Sequence, residues 1–116
     1  MGGLRRLSRL ELEVMTLRQA AVSGDVVEVR RLVATGVNVD ERDADEATAL
    51  HWASFNGHVD VMRALVELRA DKEAKDADGA TPLHMAAHKG HVEAIKFLVQ
   101  LGVDKEAKTA DGRWMY

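Results

Sequence analysis

A period of 33 residues is the feature of this sequence that most limits its fold. Gly24, Gly57 and Gly90 are separated by this step, and residues 45–77 match residues 78–110 at 18 of 33 positions. Residues 12–44 match less well, mostly at apolar and glycine positions, as is typical of a terminal repeat. A period of this length predicts a protein built from stacked, similar units.

Within one unit the sequence predicts two short helices. Pro82 suits the first turn of a helix, where its missing amide hydrogen would have had no partner, and Thr81 can cap the free amides. A second helix is predicted over residues 92–100, with Gly102 just past its end as a left-handed cap. Since helices this short are unstable alone in water, we expect neighbouring units to stabilise one another by stacking.

Three runs carry a family resemblance, namely residues 78–87 (DGATPLHMAA), 90–92 (GHV) and 98–104 (LVQLGVD). Over residues 16–112 the chain resembles the ankyrin-repeat family. The resemblance implies an all-α fold, a solenoid of stacked helix-turn-helix pairs with projecting β-hairpin-like loops. It also implies a non-catalytic protein-protein interaction module, an adaptor or scaffold, that binds a protein partner through its concave inner-helix face and loop tips.

The period divides the chain into repeats at about residues 12–44, 45–77 and 78–110, and the resemblance gives an ankyrin-repeat domain over residues 16–112. Residues 113–116 stand where a further repeat would start and do not match it. The exposed end of the last repeat leaves three possibilities open. The aromatic tail covers it, or the chain self-associates through it. Alternatively, the chain is an N-terminal fragment of a longer repeat protein or enzyme whose function lies in missing segments.

The first 15 residues are predicted to form an amphipathic helix that caps the first repeat, because Leu4, Leu7 and Leu10 follow helical spacing. Arg5 and Arg6 give this segment a basic character. An alternative is therefore an adaptor that associates with a membrane surface through this helix.

Composition excludes several classes of function. The absence of cysteine excludes disulfides and thiolate chemistry, and no apolar run reaches the roughly 18 residues of a transmembrane helix. The net charge is -3 and no basic stripe follows the N-terminal arginines, which argues against a nucleic-acid partner. We expect a protein of the cytoplasm or nucleus.

The histidines favour a structural role over a metal site. His51 aligns with His84, and His58 aligns with His91, so both pairs recur with the period and are expected to bond to loop backbone and to steady the turns. The sequence contains no nucleophile elbow and no glycine-rich phosphate loop. We therefore predict no enzyme activity, no cofactor and no metal.

The second repeat departs from the third at Glu46, Ala49 and Arg69, which replace Gly79, Pro82 and Gly102. Two of these changes remove a glycine from a position expected to have positive φ. A left-handed conformation costs a non-glycine residue about 1 kcal/mol, so local strain is expected at Glu46 and Arg69.

The resemblance also implies which residues contact a partner. Carried over by alignment, they are Val22, Ser23, Arg42, Asp45, Ala47, Phe55, Asn56, Lys75, Asp78, Ala80, His88, Lys89, Asp111 and Arg113. Phe55 is the strongest candidate, because a large ring without an evident core role is a typical interface anchor. The alternative is that Phe55 packs on Trp52, which we expect to lie mostly in the core, or on the N-terminal helix.

Overall fold

The computed structural model describes residues 16–106, 108 and 109. This part of the chain forms six helices, α1 (Leu17–Ser23), α2 (Val26–Ala34), α3 (Ala49–Phe55), α4 (Val59–Glu67), α5 (Pro82–Lys89) and α6 (Val92–Gln100). They pair as α1 with α2, α3 with α4, and α5 with α6. We call the first helix of each pair the inner helix and the second the outer helix. The predicted pair of helices in each repeat is confirmed.

A threonine starts each inner helix in the same way. Thr16, Thr48 and Thr81 have extended backbones, and each side chain accepts a hydrogen bond from the amide three residues later. The residue at that third position, a glutamine in α1 and a histidine in α3 and α5, bonds back to the amide of the threonine. The reciprocal bonds satisfy amides that the helix leaves free at its N-terminus.

Stacking of like helices builds the core. Inner helix α3 packs against α1 and α5, and outer helix α4 packs against α2 and α6. The inner helices approach one another through small side chains, and Ala20, Ala21, Ala53 and Ala86 are at most 2% exposed. Larger apolar side chains, including Leu50, Leu65 and Leu98, fill the space between inner and outer layers. The expected helical solenoid is confirmed.

Between one outer helix and the next inner helix the chain makes a hairpin-like projection, which we call a finger. In the finger around Asp43, the amide of Asp43 donates to the carbonyl of Ala47, and the amide of Glu46 donates to the carbonyl of Asp43. The next finger repeats both bonds at Asp76. The amide of Ala77 also donates to the carbonyl of Asp45, which joins the two finger tips directly.

The two glycine replacements in the second repeat take left-handed conformations, as predicted. Glu46 has φ 64° at the finger tip, and Arg69 has φ 73° after α4. The corresponding Gly79 and Gly102 both have φ 80°. The tertiary stack therefore imposes the same backbone on glycine and non-glycine residues.

Arg69→Gly is expected to raise the melting temperature by about 2–4 °C, because glycine adopts positive φ without the steric cost of a Cβ atom. The Arg69 side chain is exposed, so its removal sacrifices little packing. Thermal unfolding followed by circular dichroism measures the change. Arg63→Gly, which places glycine inside α4, is the control and should lower the melting temperature. A loss of stability in Arg69→Gly would contradict the predicted backbone strain at Arg69.

The repeated histidines have the structural role that their periodicity predicts. The Nε2 atom of His51 lies 2.8 Å from the carbonyl oxygen of Ala80, in the next finger. The Nε2 atoms of His58 and His91 lie 3.0 and 2.9 Å from the carbonyl oxygens of Val22 and Phe55, in the preceding inner helices. Because a carbonyl only accepts, Nε2 carries the hydrogen in each bond. These histidines fasten successive repeats together.

Burial lowers the pKa of His51 below its usual 6.5, an effect only partly opposed by the hydrogen bond to Ala80. The Nδ1 atom accepts from the amide of Thr48, 3.1 Å away, so a proton on Nδ1 would face another donor. The folded state therefore favours neutral His51, whereas the unfolded chain protonates it near the usual pKa.

We expect the contribution of His51 to stability to be complete above about pH 6.5 and to decline as the pH falls towards the lower pKa of the folded state. The unfolded state binds the additional proton in this window, so acid favours unfolding. Urea unfolding between pH 7.5 and 5.5 measures the slope. His51→Asn should reduce the slope, and an unchanged slope would show that other groups cause the pH dependence.

Several predicted features lie outside the described residues. They are the N-terminal cap over residues 1–15, the contact residues Asp111 and Arg113, and the tail from Trp114 to Tyr116. Among the helices that the structure describes, none is long and apolar enough to cross a membrane.

Candidate functional site

The inner helices present a row of side chains to solvent, which we call the inner-helix face. Its exposed or half-buried members are Arg18, Gln19, Val22, Ser23, Trp52, Phe55, Asn56, Met85, His88 and Lys89. These side chains face solvent because the alanine and leucine residues on the opposite side of each inner helix pack into the core. Packing of α1, α3 and α5 side by side joins the three sets of side chains into one surface.

The structure distributes the sequence-predicted contact residues over two regions. Val22, Ser23, His88 and Lys89 are exposed on the inner-helix face, where Phe55 and Asn56 are half-buried. A second set lies exposed on the fingers and comprises Arg42, Asp45, Lys75 and Asp78. The two regions adjoin, because Trp52 on the inner-helix face donates a hydrogen bond to Asp43 in a finger.

Two of the residues predicted to contact a partner are buried. Ala47 is 5% exposed and Ala80 is 7% exposed, so neither belongs to the surface. Both residues follow a finger turn and lead into the threonine cap of an inner helix, and their carbonyls close the turn. Alignment placed these residues on the fingers but could not show that their methyl groups are buried.

Arg42 has a structural role that the sequence did not predict. Its Nη1 atom lies 2.7 Å from the carbonyl oxygen of Glu46 and 2.6 Å from that of Lys75. One guanidinium thus braces the left-handed turn at Glu46 and connects it to the next finger. With these donors committed, Arg42 is a weaker candidate for partner contact than Lys75.

An aromatic pair lies at the centre of the inner-helix face. The ring centroids of Trp52 and Phe55 are 5.9 Å apart, with an interplanar angle of 74°. Trp52 is half-buried rather than mostly in the core, because its indole packs at the edge of the core and its other side faces solvent. Phe55 does pack on Trp52, as the alternative interpretation proposed, and it still remains partly open to solvent.

A cation lies beside each ring. The guanidinium carbon of Arg18 is 5.8 Å from the centroid of Trp52, and the ammonium nitrogen of Lys89 is 5.1 Å from the centroid of Phe55. Both distances are typical of cation–π contacts. The order across the three inner helices is therefore cation, indole, phenyl, cation.

Asp43 fixes the indole of Trp52 from the finger. The Nε1 atom of Trp52 donates to Oδ2 of Asp43 over 2.8 Å. Burial opposes ionisation of this carboxyl group, yet the bonds from Trp52, Ala47 and Asp45, together with the charge of Arg18, lower the pKa of Asp43 below its usual 3.8. The carboxylate is therefore ionised at neutral pH, and it holds Trp52 in one orientation.

A shallow cleft adjoins Arg18 and Asp43. It has a volume of about 170 Å³ and is lined by Thr16, Leu17, Arg18, Glu41, Arg42, Asp43, Ala47 and Ala49. Small-molecule sites usually occupy about 300–1,000 Å³, so this cleft is small for such a ligand. The described residues contain no group of three or more histidines, cysteines and carboxylates arranged to bind a metal.

Sequence reasoning missed Trp52 and Arg18 as members of this surface. Trp52 aligns with Gln19 and Met85, and Arg18 aligns with His51 and His84. Such variation within a repeated position was the available signal.

Comparison with known proteins gives one result for the fold. A family model described as ankyrin repeats matches residues 15–110 in three copies. No curated protein matches the chain.

Proposed function

Because the chain belongs to the ankyrin-repeat family, whose repeats are generally protein-protein interaction modules, we propose that it acts as an adaptor or scaffold without catalysing a reaction. Its partner would be a protein that contacts the inner-helix face and the finger tips. Fold alone does not give function, so the proposal depends on the properties of this surface.

The observation that carries the proposal is the half-buried aromatic pair on the inner-helix face. Trp52 and Phe55 contact each other, and Asp43 and the flanking cations restrict their positions. Aromatic side chains held in this way lose little conformational entropy on binding, which is why they often dominate the energy of protein interfaces. On the outer helices the most exposed large apolar residue is Val27, which is 79% exposed and smaller than either ring.

Affinity purification with matched surface variants tests the proposal. Wild-type chain, Phe55→Ser and Val27→Ser would each be immobilised and exposed to the same cell extract, after thermal melts have shown that all three are folded. We expect a bound protein to be recovered by the wild type and by Val27→Ser, and to be lost with Phe55→Ser. Val27→Ser is the control, because it removes an exposed apolar side chain from α2, on the outer layer.

Loss of the bound protein with Val27→Ser and its retention with Phe55→Ser would contradict the proposed surface. Failure of the wild type to retain any protein above an unrelated immobilised control would contradict the proposed function.

A further inference from the structure

The inner helices have an unusual charge composition for this acidic protein. The helices α1, α3 and α5 contain no aspartate or glutamate, and Arg18 and Lys89 are their only arginine and lysine residues. The outer helices contain four carboxylates, Glu28, Asp60, Glu67 and Glu93, which are balanced by four cations, Arg30, Arg31, Arg63 and Lys96, within a chain of net charge -3. The inner-helix face is therefore locally positive, whereas the protein as a whole is negative.

Arg18 and Lys89 differ in how far a nearby carboxylate already neutralises their charge. The charge of Arg18 acts on Asp43, whose pKa it helps to lower. Lys89 is exposed, and the ion pairs among the described residues are Arg30 with Glu67, Arg31 with Glu28, and Lys96 with Glu93. Lys89 is thus the positive charge on this face that a partner can best neutralise.

Charge and apolar surface occur together at Lys89. Its ammonium nitrogen lies 5.1 Å from the centre of the Phe55 ring. A carboxylate that pairs with Lys89 would bring its neighbouring side chain onto the half-buried aromatic pair. Complementary charge of this kind favours one class of partner and opposes others, since like charges brought together on binding are costly.

On this basis we infer that the inner-helix face binds an acidic segment of a protein partner, with a large apolar side chain next to an aspartate or glutamate. The apolar group contacts Phe55 and Trp52, and the carboxylate pairs with Lys89. This inference rests on the proposed function and specifies the chemistry of the partner at the same surface.

A library of random peptides displayed on phage and selected against the full chain tests the inference. The enriched peptides are expected to carry net negative charge and an aromatic or aliphatic residue beside a carboxylate. Fluorescence polarisation with the best such peptide should show at least about tenfold weaker binding, equivalent to about 1.4 kcal/mol, for Lys89→Glu and for Phe55→Ala. Binding should also weaken as salt is raised, since screening reduces the attraction.

Lys96→Glu is the matched control for Lys89→Glu. It makes the same change of charge on the outer helix α6, where Lys96 forms an exposed pair with Glu93 at 3.7 Å. Binding by Lys96→Glu should remain within about twofold of the wild type, as expected for a charge outside the interface. A peptide whose carboxylate is changed to lysine should bind Lys89→Glu better than it binds the wild type.

The outcomes separate this inference from the proposed function. Enrichment of basic or uncharged peptides that still require Phe55 would overturn the acidic partner and leave the proposed surface intact. Peptides that are insensitive to Phe55→Ala and Lys89→Glu would overturn both. Displacement of the peptide by single-stranded oligouridylate, with loss of oligouridylate binding in Lys89→Glu, would assign the face to nucleic acid and overturn the inference.

Discussion

Gly57→Ala is expected to lower the free energy of unfolding by about 3 kcal/mol, about twice the loss in the matched variant Gly90→Ala. Both glycines follow an inner helix with nearly the same backbone, φ 69° at Gly57 and 70° at Gly90. Alanine therefore pays the cost of a left-handed conformation, roughly 1–2 kcal/mol, at either position.

The difference between the two glycines comes from the next repeat. A Cβ atom at Gly57 would lie 2.7 Å from Nδ1 and 2.8 Å from Cγ of His91, whereas a Cβ atom at Gly90 would meet nothing within 4 Å. The His91 ring cannot retreat freely, because its Nε2 atom donates to the carbonyl of Phe55. Gly57→Ala thus loses an inter-repeat hydrogen bond worth about 0.5–1.5 kcal/mol, in addition to the backbone cost.

Urea unfolding of wild type, Gly57→Ala and Gly90→Ala measures these differences. Gly24→Ala should fall between the two variants, because its Cβ atom would lie 3.1 Å from the ring of His58. Equal losses for Gly57→Ala and Gly90→Ala would mean that the histidine contact contributes nothing to the stack.

His51→Leu is expected to lower the free energy of unfolding by about 2–4 kcal/mol, although leucine is similar in size and more apolar. His51 is 1% exposed. Leucine would leave the carbonyl of Ala80 and the amide of Thr48 without their present partners in a buried site. A buried polar group without a partner costs about 1–3 kcal/mol, and two groups lose theirs here.

The control is His88→Leu, which makes the same change on the exposed surface of α5. Its effect should stay within about 0.5 kcal/mol, as is usual for surface substitutions. Chemical denaturation of both variants provides the comparison. A loss for His51→Leu no larger than that for His88→Leu would show that the bonds of His51 are replaced without cost.

Much of the fold could be predicted from the sequence because the local signals agree with the period. Thr81 and Pro82 start a helix, and glycines at fixed spacing end the helices. The second helix of the third repeat runs over Val92–Gln100, as the pattern predicted. The left-handed conformations of Glu46 and Arg69 also followed from alignment, since their partners in the repeat are glycines.

The candidate surface was less predictable, because alignment of the repeats gives the place of a residue within its own repeat but not the side chains of adjacent repeats that contact it. The burial of Ala47 and Ala80 and the bracing bonds of Arg42 depend on how adjacent fingers meet. The contacts of Arg18 with Trp52 and of Lys89 with Phe55 each join residues from two different repeats.

The sequence by itself determined the repeat, the pair of helices in each unit and the positions with positive φ, because these depend on hydrogen bonds and side-chain spacing within a few residues of the chain. Only the tertiary structure decided which side chains meet across repeats. Stacking brings residues about 33 positions apart into contact, as with Arg18 and Trp52, and such a contact depends on the rotamers and packing of both repeats. The positive, aromatic character of the inner-helix face is a result of that stacking.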